Sequence, residues 1–413
     1  MLPSSALHIL HFNDAYELES SVGGLPNAPV GGAARFGSLV DACRIDATAS
    51  SAVSLLVTSG DHFSPSLLSV VSRGSHMVPV LSALGVGAAC VGNHELDVGV
   101  EKAASLMASC DFPWLLSNLR SRVTGRALCD AQEMALLTIG PWKVGLIGLV
   151  EEGWVETLAT VSAADVDWLE PVAVATRLAK ELRMAGAHVV FALTHMRLPN
   201  DQLLRAGLAE APLDSRIDLI FGGHDHDIAH VFNDSMGPPI IKSGSDFRHL
   251  TRVVIARNDG GGGGSGIAAK AVAAAATSSL SVYPHVLVLP VGIAESSSLN
   301  IAAGLMAVDS QLPRAPILAS IVARFSSMIE SKMKKVLGIS RVPLDCRFSS
   351  VRCRETNIGN MVADLMRRAV DADIALLNSG TLRADAVIPP GFLRLKDLVS
   401  ILPFFGDTGE EEE

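Results

Sequence analysis

The strongest constraint on this sequence is a repeated one. Five apolar runs of strand length each stop at a side chain able to bind a metal ion. Leu7 to Phe12 runs into Asp14, Val53 to Val57 into Asp61, Ala88 to Val91 into Asn93 and His94, His188 to Leu193 into His195, and Ile217 to Phe221 into His224 and His226. Short apolar runs bounded by Gly, Asn and Asp read as buried strands. Between them lie stretches with helical spacing: Arg35 to Arg44, with Phe36, Leu39, Val40 and Cys43 on one side, then Met77 to Leu84, Glu101 to Ser109 and Pro171 to Ala185. Strands alternating with helices predict an α/β fold, an open sheet covered by helices. In such sheets functional residues gather just beyond the strand ends. Loops far apart in the chain are therefore expected to meet at one place.

The densest of these loops is Val91-Gly92-Asn93-His94-Glu95-Leu96-Asp97. It crowds an amide, an imidazole and two carboxylates beside a glycine that lets backbone come close. Oxygen and imidazole donors without thiolate suit hard or borderline divalent cations, and Mn, Zn, Fe, Co and Mg all stay open. Two such ions need a bridging carboxylate, which an Asp at a strand end can supply. A pair roughly 3.5–4 Å apart holds a hydroxide and a phosphate oxygen together, and the metal lowers the pKa of its water. A histidine outside the ligand set, fixed by a carboxylate, would then assist the leaving oxygen. His94, with Asp97 three positions on, meets that description.

Charge narrows the partners. A net charge of −10 argues against a nucleic-acid backbone, because counterion release needs a basic face. It leaves room for a small anion, since a bound metal supplies positive charge locally. Met1 to Ala6 has no charged start and no apolar core of a leader peptide, and no apolar run reaches membrane-spanning length. The six cysteines are scattered and read as reduced thiols. A cytoplasmic protein with a small-molecule partner and no membrane association is expected.

Asp14, Gly60-Asp61, Gly92-Asn93-His94-Glu95, Thr194-His195 and Gly222-Gly223-His224-Asp225-His226 together resemble the ordered blocks of the calcineurin-like metallophosphoesterases. Further on, Glu355-Thr356-Asn357-Ile358-Gly359-Asn360 and Asn378-Ser379-Gly380-Thr381-Leu382-Arg383 resemble the C-terminal domain of the 5′-nucleotidase family, relatives of UDP-sugar hydrolases and 2′,3′-cyclic phosphodiesterases. The resemblance implies a four-layer α/β/β/α sandwich followed by a linker helix and a partial α+β domain. The corresponding divisions are residues 1–294, interrupted by a low-complexity Gly/Ala insertion at 257–281, then a linker and connecting helix at 295–337, then a partial substrate-binding domain at 338–413.

It also implies roles. Asp61 would bridge two divalent metals, Asp14 and His226 would serve the first, and Asn93, His195 and His224 the second. His94 would stabilise the transition state or protonate the leaving group, with Asp97 as its partner. Arg352 would meet phosphate, Asn378, Gly380 and Arg383 would line a nucleotide site, and Phe404 would stack on a base. The implied activity is hydrolysis of phosphate esters by metal-bound hydroxide, with nucleoside 5′-monophosphates as the leading substrates. Phosphodiester cleavage of cyclic nucleotides or nucleotide sugars on the same site is one alternative, and a non-catalytic member that binds metal or a partner is another. One departure stands out: the family's Asp-x-His block reads Asp14-Ala15-Tyr16 here. Tyr16 would either ligate the first metal through its phenol oxygen or pack against the site, and weaker or differently selective binding of that metal is expected.

Some neighbours have plainer readings. Glu95 is expected to bond to loop backbone, and Asp225 to point away from the metals. Asp246 reads equally as a turn residue or a support for a ligand. His62 reads as a substrate contact or an idle loop residue, and His76 as solvated. The tryptophans are expected in the core. Residues 295–316 read as an interdomain connection, and Ile374 to Leu377 as a strand.

Overall fold

The strands foreseen along the first half of the chain do form, and they sort into two sheets. The computed structural model describes residues 5–22, 29–232, 237–257, 273–278, 280–283, 288–295 and 299–402. The sheet strands are β1 (Leu7–Phe12), β2 (Val53–Thr58), β3 (Val86–Cys90), β4 (Trp114–Leu115), β5 (Met134–Ile139), β6 (Trp142–Val150), β7 (Val189–His195), β8 (Leu219–Gly222), β9 (Ile228–Val231), β10 (Ile240–Ser243), β11 (His249–Arg257), β12 (Val288–Glu295) and β13 (Leu299–Ala307). One sheet has the order β12-β13-β11-β1-β2-β3-β4, the other β9-β10-β8-β7-β6-β5. In the first, β1 to β4 run parallel, and in the second β6, β7, β8 and β10 do. Parallel pairing lines up strand ends, so the loops leaving these strands share one edge of each sheet.

Burial explains the layering. All residues of β1 and β7 are buried, as expected for strands covered on both faces. The period-two alternation of a strand sorts β7 into two layers. Val190 and Ala192 join Ile147, Ile220 and Ile240 in a cluster with Val174, Leu178 and Leu182 of the helix Pro171–Met184 and Leu204 of the helix Leu198–Gly207. Phe191 points the other way and meets Phe221 edge-on at 5.7 Å. Phe221 in turn packs on His11 of the first sheet at 4.9 Å. Beyond that sheet Phe12 packs on Phe36 of the helix Ala33–Ala49 at 5.0 Å. The order is helix, sheet, sheet, helix, and His195 shares the inter-sheet face with Phe191 and Leu193.

By its internal contacts the chain divides into Met1–Phe63 with Met77–Val322, and Ser64–His76 with Ala323–Glu413. The second unit has its own core of Leu344, Cys346, Val351, Ile358, Val362, Leu382 and Ile401. Its main helix, Asn357–Ala369, opens on Thr356, whose hydroxyl accepts from the Gly359 N–H, a standard N-cap that satisfies one orphan donor.

Three expectations change. Residues 299–307 belong to β13 inside the first sheet rather than to a connection. Ala302, Ala303 and Gly304 lack the β-branched signature of a strand, which hid it. Ile374 to Leu377 forms no strand, and Ile374 and Leu376 are exposed. His76 is buried, not solvated, with Nδ1 against the Ser72 hydroxyl at 2.7 Å, and burial pushes its pKa down to about 3. Of the Gly/Ala-rich segment, residues 257, 273–278, 280 and 281 are described, and Arg252 donates to the Ser278 carbonyl at 2.7 Å. Among the described residues no helix is long and apolar enough to cross a membrane.

Candidate metal centre

The edge where the parallel strands end carries the residues singled out in sequence. Asp14 lies just past β1, Asp61 past β2, Asn93 opens a short turn of helix after β3, His195 ends β7, and His224 and His226 follow β8. Asp14, Asp61, His224 and His226 all have positive φ, at 50°, 62°, 80° and 63°. For residues with a Cβ this conformation costs about 1–3 kcal/mol each and persists only where surroundings over-determine it. Here they do. The Asp14 N–H donates to the Gly60 carbonyl at 3.0 Å, the His224 N–H to Asp14 Oδ2 at 2.9 Å, and the His94 N–H to Asp61 Oδ1 at 2.9 Å. Two glycines permit the crowding. A Cβ on Gly92 would stand 2.2 Å from Asp61 Oδ1, and one on Gly223 would stand 2.9 Å from Asp14 Oδ2.

All six predicted ligands come together. His195 Nε2 lies 3.2 Å from Asp61 Oδ2, 3.1 Å from Asn93 Oδ1 and 3.2 Å from His224 Nδ1. Asn93 Oδ1 is also 3.1 Å from His224 Nδ1. On the other side His226 Nε2 lies 3.4 Å from Asp14 Oδ1. Two groups of potential ligands result, Asp61 with His195 and His224, and Asp14 with Asp61 and His226. Asp61 belongs to both, the position a bridging carboxylate would hold.

The donor set fits divalent cations. The Ser59 carbonyl accepts from His195 Nδ1 at 2.7 Å, so in the neutral ring Nε2 presents its lone pair to the cluster. One ring proton can serve only part of a cluster of two imidazole nitrogens, an amide oxygen and a carboxylate. A cation serves all of it. The electrostatics agree. Burial pushes Asp14 up to about 6. Burial also pushes Asp61 up, but His195 and His94 outweigh it and hold the carboxyl well below its usual range. For His195 burial pulls down, and the Asp61 carboxylate reverses this and raises it to about 10. Burial drives His224 down to about 3. The Asp61 carboxylate thus favours positive charge at the point where the donors call for a metal.

Around this cluster the plainer readings separate. Glu95 accepts from the N–H groups of Asp61, His62 and Gly92 at 2.8, 2.5 and 2.7 Å, tying the loops after β2 and β3 together. Glu95→Gln turns an amide NH2 toward backbone donors, and should lower stability by about 1–3 kcal/mol, read as a lower denaturation midpoint at unchanged m-value. Asp225 faces away, accepting from Lys242 Nζ and the Leu198 N–H. Asp246 accepts from the Tyr16 N–H at 3.2 Å. His62 is buried against the Thr58 hydroxyl at 2.7 Å and is structural. His94 sits at the rim, with Nδ1 2.7 Å from Asp97 Oδ2.

Three supporting residues were missed in the sequence. Asn13 donates to Asp14 Oδ2 at 2.6 Å and so aims that carboxylate. Glu151, buried, accepts from the Arg197 N–H at 2.7 Å and its Oε1 lies 3.8 Å from His224 Nε2. Lys242, also buried, is bonded to Asp201, Asp225 and two loop carbonyls. The signal for the last was present: a lysine closing the apolar run Ile240-Ile241.

In the second unit Asn378 caps a short turn by accepting from the Gly380 N–H at 2.9 Å, and Arg383 leaves the same loop. The Arg352 guanidinium lies 4.1 Å over the Phe348 ring. The Phe348 N–H donates to Asp385 at 2.9 Å, which sets the Arg352 segment beside the Arg383 loop. Phe404 lies outside the described residues.

Comparison with known proteins places the chain in a family. The family profile "Calcineurin-like phosphoesterase" matches residues 7–227, and "5'-nucleotidase, C-terminal domain" matches residues 336–408. This chain belongs to the calcineurin-like phosphoesterases. It is 25% identical over 343 residues to a 5′-nucleotidase of Vibrio parahaemolyticus, covering 78% of this chain and 58% of that protein. It is 25% identical over 395 residues to the trifunctional nucleotide phosphoesterase protein YfkN of Bacillus subtilis, covering 86% of this chain and 24% of that protein. The fold is shared with the crystal structure of a 5′-nucleotidase precursor from Thermus thermophilus, at a TM-score of 0.73 and 21% identity, covering 97% of this chain and 74% of the other. The chain therefore spans about 58% of the first relative's length and about a quarter of the second's.

Proposed function

We propose that this chain hydrolyses phosphate esters with the help of two divalent cations, and that nucleoside 5′-monophosphates are its leading substrates. One observation carries the reading: Asp61 is shared by two groups of potential ligands, each with two buried members and one partly buried histidine, brought together from both sheets. Asp14, Asp61 and His226 would hold one cation, and Asp61, Asn93, His195 and His224 the other. When bound, the pair would supply a nucleophile from water near neutral pH and neutralise charge on the phosphoryl oxygens. The chain's own residues do the rest. Ser59 keeps the His195 ring in the tautomer that offers Nε2. Asp97 fixes His94 through Nδ1, and Nε2 would then carry a proton to the leaving ester oxygen. Arg352 and Arg383 would meet phosphate, for which the guanidinium fork is suited, and Asn378 and Gly380 would line the nucleotide.

The Vibrio relative's name supports a monoester substrate. The name of the Bacillus relative, a trifunctional nucleotide phosphoesterase, supports a second reading in which phosphodiesters of cyclic nucleotides or nucleotide sugars use the same site. The reading includes a small-molecule partner and a cytoplasmic location. It is tested by elemental analysis of the purified chain together with phosphate release from nucleoside monophosphates, 2′,3′-cyclic nucleotides and UDP-sugars under added Mn or Co. Release from monophosphates that a chelator abolishes is expected. Folded protein that releases nothing from any substrate with any metal would remove the proposal.

A further inference from the structure

One step back from the ligands along their strands, a histidine lies buried between the two sheets. His11 and its partner Ser59 are both 0% exposed. Its Nε2 lies 3.0 Å from the Ser59 hydroxyl and its Nδ1 2.8 Å from the Ser243 hydroxyl. The Ser59 hydroxyl donates onward to the Phe221 carbonyl at 2.7 Å, and the Ser243 hydroxyl lies 2.8 Å from that of Thr251. One row of contacts thus joins β1, the exit of β2, β8, β10 and β11.

The direction of each bond follows from counting protons. Ser59 has one hydroxyl proton, spent on Phe221, so toward His11 its oxygen accepts and Nε2 carries the hydrogen. Burial pushes the His11 pKa down to about 3, with His230 and Lys242 adding to the effect. The ring is therefore neutral and Nδ1 is bare. The Ser243 hydroxyl donates to it and accepts in turn from Thr251. Each side chain in the row has its partner, the condition under which a buried polar network rigidifies what it joins.

Each serine also supports a candidate ligand through its backbone. The Ser59 carbonyl accepts from His195 Nδ1 at 2.7 Å. The Ser243 N–H donates to Asn13 Oδ1 at 2.8 Å, and the Asn13 amide donates to Asp14 Oδ2 at 2.6 Å. His195 belongs to one ligand group and Asp14 to the other, while His11 belongs to neither. We propose that His11 is a positioning residue of the metal centre: by bonding Ser59 on one side and Ser243 on the other, it fixes the two backbones that aim His195 and Asp14, and so sets metal affinity without touching a metal. The inference rests on the metal-binding reading above.

Metal affinity measured beside stability separates this role from ordinary core packing. Chelator-stripped wild type, His11→Phe, His11→Gln, Ser59→Ala and the double variant of His11→Phe with Ser59→Ala are titrated with Mn(II), free ion being read from its paramagnetic resonance signal. Leu178→Ala, in the core under the helix Pro171–Met184, supplies a variant destabilised away from the centre. His11→Phe keeps a ring against Phe221 but offers neither serine a partner, and should raise the Mn(II) dissociation constant about 10–100-fold. His11→Gln carries one donor and one acceptor, as the neutral ring does, and should recover most of that affinity. Ser59→Ala keeps the carbonyl and should still weaken binding, and the double variant should lose less than the two single losses combined. Leu178→Ala should lower the denaturation midpoint and bind Mn(II) as the wild type does. Wild-type affinity in folded His11→Phe would overturn the inference and leave the hydrolase reading standing. So would additive losses in the double variant, or equal weakening in Leu178→Ala. Should His11→Phe fail to fold, Ser59→Ala decides, and unchanged affinity there overturns the inference. No Mn(II) bound by the wild type would overturn this inference and the metal-dependent reading together.

Discussion

His94→Asn should lower kcat about 10²–10⁴-fold, the usual contribution of a general acid or base, while bound metal per chain stays at the wild-type value. The expectation follows from what the side chain touches. His94 Nδ1 is 2.7 Å from Asp97 Oδ2, and neither ligand group includes the ring. Its backbone N–H, not its imidazole, bonds Asp61 at 2.9 Å, and Asn preserves that bond. The substitution therefore removes a proton carrier at the rim and leaves the cage intact. A second measurement sharpens the test. If His94 protonates the departing oxygen, the defect should shrink with an aryl phosphate whose leaving group needs no proton, and be largest with a nucleoside monophosphate. Metal loss in step with the loss of turnover would make His94 part of the cage instead. A defect of equal size on both substrates would mean that it does not deliver a proton.

The ligands were legible because each lies where an apolar run stops, and a strand end is a local event. The layering was not legible from the runs alone. Strands covered on both faces, such as β1 and β7, show no alternation, so nothing in their pattern divides one sheet from two, and the resemblance supplied that division. The two errors in strand assignment mirror each other. β13 is rich in Ala and Gly yet finds neighbours on both sides, whereas Ile374 to Leu377 has strand-like residues and no partner among the described ones. A strand is decided by pairing, and intrinsic preference is the weaker factor. Tyr16 could be read as a departure from the family's block. That its hydroxyl lies among Asp14, Asp61 and His226 depends on contacts spanning 45 and 210 residues, which no window along the chain contains.

Lys242 is the clearest case of a residue whose importance only folding reveals, and Lys242→Met should destabilise the chain by about 3–5 kcal/mol, the range for breaking a buried ion pair by removing one partner. Lys242 is 1% exposed, and its Nζ lies 3.0 Å from Asp201 Oδ2 and 2.5 Å from Asp225 Oδ2. It also donates to the carbonyls of Met196 and Gly223 at 2.5 and 2.8 Å. Met196 follows His195 and Gly223 precedes His224, so one ammonium group fixes the exits of β7 and β8. Burial pushes the Lys242 pKa down, yet Asp201 and Asp225 outweigh it and the net shift is upward. For Asp201 burial is the larger effect, and its carboxyl stays raised despite the lysine. The pair as a whole is therefore no great source of stability, and the loss comes from stranding a buried carboxylate. That fixes the sign of the pH dependence. An acid with a raised folded pKa destabilises the fold in its ionised form, so the deficit of Lys242→Met should grow as pH rises and shrink on acidification, when Asp201 takes up a proton. Adding Asp201→Asn should recover part of the loss at neutral pH, because the amide carries no charge to bury. Denaturation midpoints across pH would decide the matter. A deficit below about 1 kcal/mol, or one independent of pH, would mean that solvent reaches the pair and that the two loops are held by other contacts.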